Sequence, residues 1–304
     1  MKALVTGGAG FLGSHLVRRL SSEGATVTVL DDFSSASPSA SDLPAEVVRG
    51  SVVEPPPLPG PFDLIAHLAS PASPPRYLRD PVGTLRTGAE GTRQILDLAA
   101  TWGSHVLYTS TSEVYGDPEV HPQPESYPGA VEVSSERACY DEGKRYAEAL
   151  IHAYRRTGAL AAPSIVRLFN TYGPGMDPDD GRVVTSFLTS ALAGRPLTVF
   201  GDGSQTRSFC FVEDLIDGLM AVIELRIEGP LNLGNDEEIT MLELADAVEE
   251  LLGATGREYH PLPDADPKRR RPDLTLARRL FGWNPRTPLS EGLAATADYL
   301  RSLP

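Results

Sequence analysis

The 304-residue sequence predicts an α/β protein, a doubly wound, mainly parallel β-sheet followed by a smaller C-terminal α/β lobe that would bind substrate. Three observations predict it. Short apolar runs alternate with amphipathic helical stretches through the first half of the chain, the βαβ rhythm of a parallel sheet. The first of those runs ends in a glycine-rich turn that opens a helix. Further along, the stretch from Ser134 to Leu150 sets Tyr140 and Lys144 four residues apart, on one face if the stretch is helical.

Lys2 to Thr6 reads as a short buried strand that runs into G-G-A-G-F-L-G, where Gly7, Gly10 and Gly13 stand three apart before an amphipathic run from Phe11 to Leu20. The first glycine permits the tight turn, the second lets backbone approach a pyrophosphate, and the third lets helix and strand pack closely. A second strand, Thr26 to Leu30, ends in Asp31 and Asp32. An acidic residue there accepts hydrogen bonds from a ribose 2′-hydroxyl and repels a 2′-phosphate, so the predicted Rossmann-type unit favours NAD over NADP.

Ser34 to Pro61 is rich in Ser and Pro and reads as loops over the sheet, with a short strand around Val47 to Arg49. Leu64 to His67 is the next strand. Asp80 and Pro81, a cap followed by proline at the first helical position, predict one long helix to about Ala100. His105 to Ser110 is a strand whose carboxyl end carries T-S-T-S-E-V-Y-G, and in such sheets the carboxyl ends of strands carry the chemistry. Thr111 and Ser112 are placed to bond a substrate oxygen, the alternative being a plain strand-edge hydroxyl cluster. Glu113 beside them is either a surface glutamate or a carboxyl whose pKa a partly desolvated cleft would raise.

Tyr140 and Lys144 follow. An unperturbed phenol titrates near pH ~10, and a neighbouring ammonium favours its phenolate, so the pair makes a proton acceptor suited to alcohol oxidation. The alternative is an exposed Tyr and Lys on an amphipathic helix. The lysine argues against that, because the chain has only three lysines, Lys2, Lys144 and Lys268, beside 24 arginines.

Ser164 to Leu168 is another strand. Helices follow at about Val183 to Ala193, Val212 to Leu225, Thr240 to Leu252 and Leu289 to Arg301, the third opened by a Thr240–Glu243 capping box. Residues 1–169 would form the dinucleotide-binding domain, with the 212–226 helix packing back onto it, and 170–304 would be mainly the substrate lobe. Arg182, Arg207 and the run Lys268 to Arg271 suggest a divided anion site, since guanidinium forks orient diphosphate and carboxylate; Arg195 reads as a solvated charge.

A formal net charge of −14 argues against a nucleic-acid partner and for a small anion. Cys139 and Cys210 cannot make a disulfide framework, the six histidines show no metal-ligand spacing, and no stretch is apolar and long enough to span a bilayer. With a strand at the very start, a cytoplasmic location is expected.

The chain resembles the extended short-chain dehydrogenases/reductases, and within them the UDP-glucuronic acid decarboxylases, or UDP-xylose synthases. V-T-G-G-A-G-F-L-G-S-H, L-A-S-P-A-S-P-P, F-N-T-Y-G-P, G-D-G-S-Q-T-R-S-F and L-N-L-G-N carry the general likeness; T-S-T-S-E, C-Y-D-E-G-K-R and R-R-P-D point to the decarboxylase branch. The resemblance implies a closed redox cycle in which NAD+ takes hydride from C4 of UDP-glucuronate, the 4-keto acid loses CO2, and hydride returns to C4. By position, Tyr140 would be the base, Lys144 its electrostatic partner and a ribose ligand, and Thr111 a hydrogen-bonding partner at the reacting centre.

Ser112, Glu113 and Arg270 would surround the departing carboxylate. Asn170, Arg182, Val183 and Arg207 would hold the UDP sugar. Asp31, Asp32, Phe33 and Ser34 match the adenosine side of the cofactor site, and Phe11, Leu12, Ser51, Val52, Leu68 and Ser70 would complete its lining. Gly88 and Ala89 stand where the family usually has Asn-Thr, and Ser51 where an aspartate commonly approaches the adenine. A homodimer through the Pro81 and Tyr140 helices is implied by the pairing of relatives. A UDP-glucuronate 4-epimerase and a non-catalytic NAD-binding sensor stay open as alternatives, with Glu113 and Arg270 discriminating the first.

Overall fold

The computed structural model describes residues 1–262 and 269–303, so Lys268 of the predicted basic run lies outside the described residues. The first half alternates strands β1 (Lys2–Thr6), β2 (Thr26–Asp31), β3 (Glu46–Arg49), β4 (Leu64–His67) and β5 (His105–Thr111) with helices α1 (Phe11–Ser22), α2 (Pro74–Tyr77), α3 (Pro81–Arg86) and α4 (Thr92–Trp102). Helix α5 (Ala138–Arg156) and strand β6 (Ser164–Leu168) follow. The strands of this half form one sheet, and strand β11 (Leu231–Leu233), from far along the chain, joins it beside β6. The spatial order is β11-β6-β5-β4-β1-β2-β3, every pair parallel. The order reverses between β1 and β4, where a doubly wound sheet opens its ligand crevice.

Each face of the sheet is covered because the helices carry apolar stripes at helical spacing. Leu16, Val17 and Leu20 of α1 pack with Leu215, Leu219 and Val222 of α7 (Val212–Leu225) on one face. Ile95, Leu96 and Ala99 of α4 pack with Ala147 and Ile151 of α5 on the other. A second core gathers α6 (Val183–Leu192), α8 (Met241–Leu252) and α10 (Leu289–Ser302) around Phe187, Leu188, Leu244, Val248 and Leu293. Besides α7, strand β11 and helix α9 (Thr275–Phe281) return to the first core; L-N-L was too short a run to announce a strand on its own. The Thr240–Glu243 capping box forms as predicted.

The long helix expected from Pro81 is interrupted. Asp80 caps α3 by accepting from Gly83 N at 2.9 Å, but Thr87–Gly91 winds as a π-helical turn before α4 begins. Gly88 and Gly91 weaken the α-helical preference there, and Gly88 lies against α5, where a Cβ would come within 3.1 Å of Gly143 Cα. The absence of a side chain at Gly88 lets the Tyr140 helix approach this turn closely. Among the described residues no helix is long and apolar enough to cross a membrane.

Candidate active site

A single cleft of about 2010 Å³ runs along the carboxyl ends of β1, β4 and β5 and under the second core. At one end lies the β1–α1 turn. Gly7 has a left-handed φ of +71°, and a Cβ on it would meet Ala69 N at 2.7 Å; one on Gly13 would lie 2.1 Å from the Gly7 carbonyl oxygen. Only glycine lets strand, turn and helix close this tightly. Gly10, whose Cβ would meet nothing nearer than 3.2 Å, presents open backbone to the cleft beside Phe11 and Leu12.

The two aspartates after β2 do different things. Asp31 is buried and accepts from Ala9 N at 2.9 Å and Phe33 N at 2.8 Å, and its burial raises its pKa. Asp32 is exposed, with one oxygen accepting from Ser34 N and Oγ. Both line the cleft, as do Ser34, Ser51, Val52, Leu68 and Ser70. Phe33 is the exception among the predicted adenosine-side residues: it is absent from the cleft lining, and its ring sits under the Arg49 guanidinium at 5.4 Å. Its left-handed φ of 64° is what turns it aside. Ser51 Oγ accepts from Val53 N at 3.1 Å, closing the local turn.

At the centre, the buried stripe of α5 carries ionisable groups where a helix usually carries apolar ones. Asp141, Lys144 and Glu148 are each under a tenth exposed. Such groups stay buried only when paired or used. Glu148 is paired, accepting from Ser110 Oγ at 2.5 Å and from Arg167 at 2.7 Å, and Arg167 reaches on to the Tyr115 hydroxyl at 3.0 Å. Lys144 Nζ donates to the Thr109 carbonyl at 2.8 Å, lies 5.7 Å from the centroid of the Tyr140 ring, and is lowered by burial to about 7. Tyr140 is itself buried, stacked on Tyr77 at 5.1 Å with the rings 7° from parallel, with the Thr111 hydroxyl nearby in the same cleft.

The expected depression of the Tyr140 pKa is not what this site produces. Burial, and then the Glu113 charge, push the phenol above its ordinary value, and the Thr111 hydroxyl only partly opposes them. Lys144 does not offset this because burial weakens its own charge.

Glu113 sits one residue beyond Ser112, which is fully enclosed, and closes a cluster drawn from three parts of the chain. Its carboxylate accepts from Arg137 at 2.5 Å, faces Arg270 at 3.8 Å and interacts with the Asp141 carboxyl. Burial alone would raise it; Arg137 and then Arg270 outweigh that and hold it below the usual carboxylate range. Arg270, only 5% exposed, also donates to the Gly116 carbonyl at 3.4 Å and has an Nε without a partner. Sequence reasoning missed Arg137, Asp141 and Tyr77. Arg137 stands three residues before Tyr140, so helical spacing already put it on the same face.

Toward the second core, Asn170, Arg182, Val183 and Arg207 line the same cleft. Arg182 is held by Asp180, another residue the sequence reading did not single out. Arg195 is exposed and stands outside the cleft lining, as expected of a solvated charge.

The family model for the NAD dependent epimerase/dehydratase family matches residues 3–234. UDP-glucuronic acid decarboxylase 2 of Arabidopsis thaliana is 50% identical over 299 residues, covering 96% of this chain and 66% of that protein. UDP-glucuronic acid decarboxylase 1 of Danio rerio is 46% identical over 304 residues, covering 98% of this chain and 72% of its own. The chain thus spans about two thirds of the length of these relatives. Among solved structures, MoeE5 in complex with UDP-glucuronic acid and NAD superposes with a TM-score of 0.85 at 28% identity, covering 99% of both chains. UDP-glucose 4-epimerase of Thermotoga maritima superposes with a TM-score of 0.89 at 28% identity, again covering 99% of both. The glycine-rich turn at the switch point, the parallel sheet and the Tyr140–Lys144 helix are therefore those of a member of the NAD dependent epimerase/dehydratase family, to which this chain belongs.

Proposed function

We infer that this chain is an NAD-dependent lyase that decarboxylates UDP-glucuronate to UDP-xylose. The observation that carries the reading is the juxtaposition, in one cleft, of Tyr140 and Thr111 at an alcohol-oxidising position with Glu113, Arg137 and Arg270 a short way beyond. Identities of 46–50% to UDP-glucuronic acid decarboxylases support it.

The residues fit a dinucleotide: the turn leaves Gly10 backbone open at the N-terminus of α1, whose free N–H groups and dipole favour phosphate, and Asp32 is exposed at the end of β2. Gly7, Gly10, Phe11, Leu12 and Gly13 would hold the pyrophosphate. Asp31, Asp32 and Ser34 would take the adenosine ribose, Ser51 and Val52 the adenine, and Leu68, Ser70 and Lys144 the nicotinamide half. When bound, NAD supplies a hydride acceptor and donor for the sugar C4 and, in its oxidised form, a positive charge.

Tyr140 takes the proton of the C4 hydroxyl, and Thr111, whose hydroxyl lies beside that phenol, would help aim it at the oxygen. Arg270 and Ser112 hold the sugar carboxylate. With C4 a carbonyl, the C5–C6 bond breaks, its electron pair moves toward the C4 oxygen, and CO2 leaves. Glu113, kept ionised by Arg137 and Arg270, disfavours a second carboxylate beside it and so favours that departure. Asn170, Arg182, Val183 and Arg207 would grip the UDP portion, guanidinium forks suiting its diphosphate.

Purified protein incubated with NAD and UDP-glucuronate should release CO2 and form UDP-xylose, followed by NMR of the nucleotide sugar. UDP-galacturonate with no CO2 would replace this reading with a 4-epimerase, and no turnover with a sensor.

Residues 1–169, with the 212–226 helix, β11 and α9 that return to the first core, serve as the NAD-binding unit, and the rest of 170–304, around the second core, mainly as the sugar-nucleotide lobe. The protein acts as a homodimer: Val82 and Leu85 of α3 and Tyr146 of α5 are exposed along one side, beside an apolar groove lined by Leu78, Val133 and Ala138. Light scattering at the mass of one chain would refute the dimer. Its two free cysteines suit a reducing compartment such as the cytoplasm.

A further inference from the structure

Asp141 has no part in the reaction so far, yet its surroundings are those of a group that must carry a proton. It follows Tyr140 directly, lines the cleft and is 6% exposed. Its carboxyl interacts with that of Glu113, and its Oδ1 is buried with no hydrogen-bond partner. A first-turn aspartate that served only the dipole of α5 would gain by staying ionised. Here it faces a second carboxyl instead.

We propose that Asp141 is the proton reservoir of the site, neutral while substrate is bound and passing its proton through Glu113 to the sugar carbon that CO2 has left. The inference rests on the decarboxylase reading.

Charge conservation supports the assignment. With substrate bound, the cluster holds two negative charges, the sugar carboxylate and Glu113, against the two positive charges of Arg137 and Arg270. CO2 carries no charge away, and the electrons of the broken C5–C6 bond rest on the C4 oxygen. Asp141 first gives its proton to Glu113; as that pair returns to C5, Glu113 passes the proton on to C5 and is a carboxylate again, and Asp141 becomes the second carboxylate. The buried site ends with the same balance it began with, which a low dielectric demands. Water then returns a proton to Asp141, the one proton that replacing a carboxylate by hydrogen consumes.

The groups facing Asp141 act consistently with this. From α5 and its N-cap these are Arg137, Cys139 and Tyr140; from other elements, Glu113, Arg270 and Tyr77. Burial first, and Glu113 second, push the Asp141 carboxyl up to about 8 against the two arginines. Two carboxyls in contact between cations share a single proton.

Asp141→Asn keeps a hydrogen-bond donor to Glu113 but has no proton to pass on. Its kcat should fall roughly 10²-fold with KM little changed, the range of a lost general acid. Wild-type kcat should decline as pH rises through about 8, and the variant should lack that limb. On the wild type without substrate, infrared spectroscopy should show a protonated carboxyl band at neutral pH that fades through the same range and is missing from Asp141→Asn. Wild-type turnover with no such band, or a variant with wild-type kcat and an unchanged alkaline limb, would overturn the reservoir. A wild type that releases no CO2 would overturn the decarboxylase reading and this role with it, even with the band present.

Discussion

Replacing Arg137 by Met tests whether the cluster around Glu113 is as tightly balanced as its geometry says. The substitution keeps most of the side-chain length and leaves Glu113 with Arg270 alone, at 3.8 Å. Both partners of the lost pair are well enclosed, at 17% and 14% exposed, so solvent does little to rescue the stranded carboxylate. Breaking such a pair by removing one member costs about 3 kcal/mol. Unfolding entropy of about 2.1 cal/mol/K per residue converts that, for a chain of this size, to a drop in Tm of roughly 5 °C.

The pH dependence has a definite sign. Arg137 and Arg270 depress the folded-state pKa of Glu113, so its stabilisation is complete above the unfolded carboxyl value and is lost as pH falls through the folded one. Calorimetry should therefore find the gap between wild type and Arg137→Met at its full width near pH ~7 and narrowing below pH ~4, where Glu113 takes up a proton. Equal melting temperatures at neutral pH, or a gap of constant width across that range, would refute the reasoning.

Two further substitutions probe the helix that carries Tyr140. Lys144 is a buried cation lowered to about 7, so it opposes folding fully below that pH and progressively less up to its ordinary 10.5; dinucleotide-free Lys144→Met should melt higher than wild type at about pH 6, with the lead shrinking toward pH ~10 while turnover is lost. A lower Tm for the variant at about pH 6 would contradict the burial account. Gly143→Ala should be neutral to stabilising by about 0.5–1 kcal/mol, because the added Cβ meets only Gly88 Cα at 3.8 Å and alanine is the better helix former. A clear fall in Tm would show that the α5 crossing cannot accept even ordinary contact there.

The scaffold was legible because its signals are local. β1, β4 and β6 fall on the predicted residues, since apolar runs bounded by turn chemistry define them. The π-turn at Thr87–Gly91 was hidden because part of what Gly88 serves is its close contact with Gly143, 55 positions away in sequence and on another helix. The site was legible in part. Tyr140, Lys144, Glu113 and Arg270 stood out by spacing and by resemblance, and they do line one cleft. Asp141 and Arg137 did not stand out, because a charge near a helix start looks solvated until the opposing Glu113 and Arg270 are in place. The Tyr140 pKa was misjudged for the same reason: spacing reveals a neighbouring lysine but not the desolvation that weakens it.

The direct test of the account is CO2 release by Glu113→Gln, because the central claim is that this residue and Arg270 act on the sugar carboxylate while Tyr140 and Thr111 act at C4. The variant keeps the size of Glu113 and removes its charge. With NAD and UDP-glucuronate it should accumulate reduced nicotinamide, read by absorbance, while CO2 release slows by roughly 10²-fold or more. CO2 release at the wild-type rate would contradict the account.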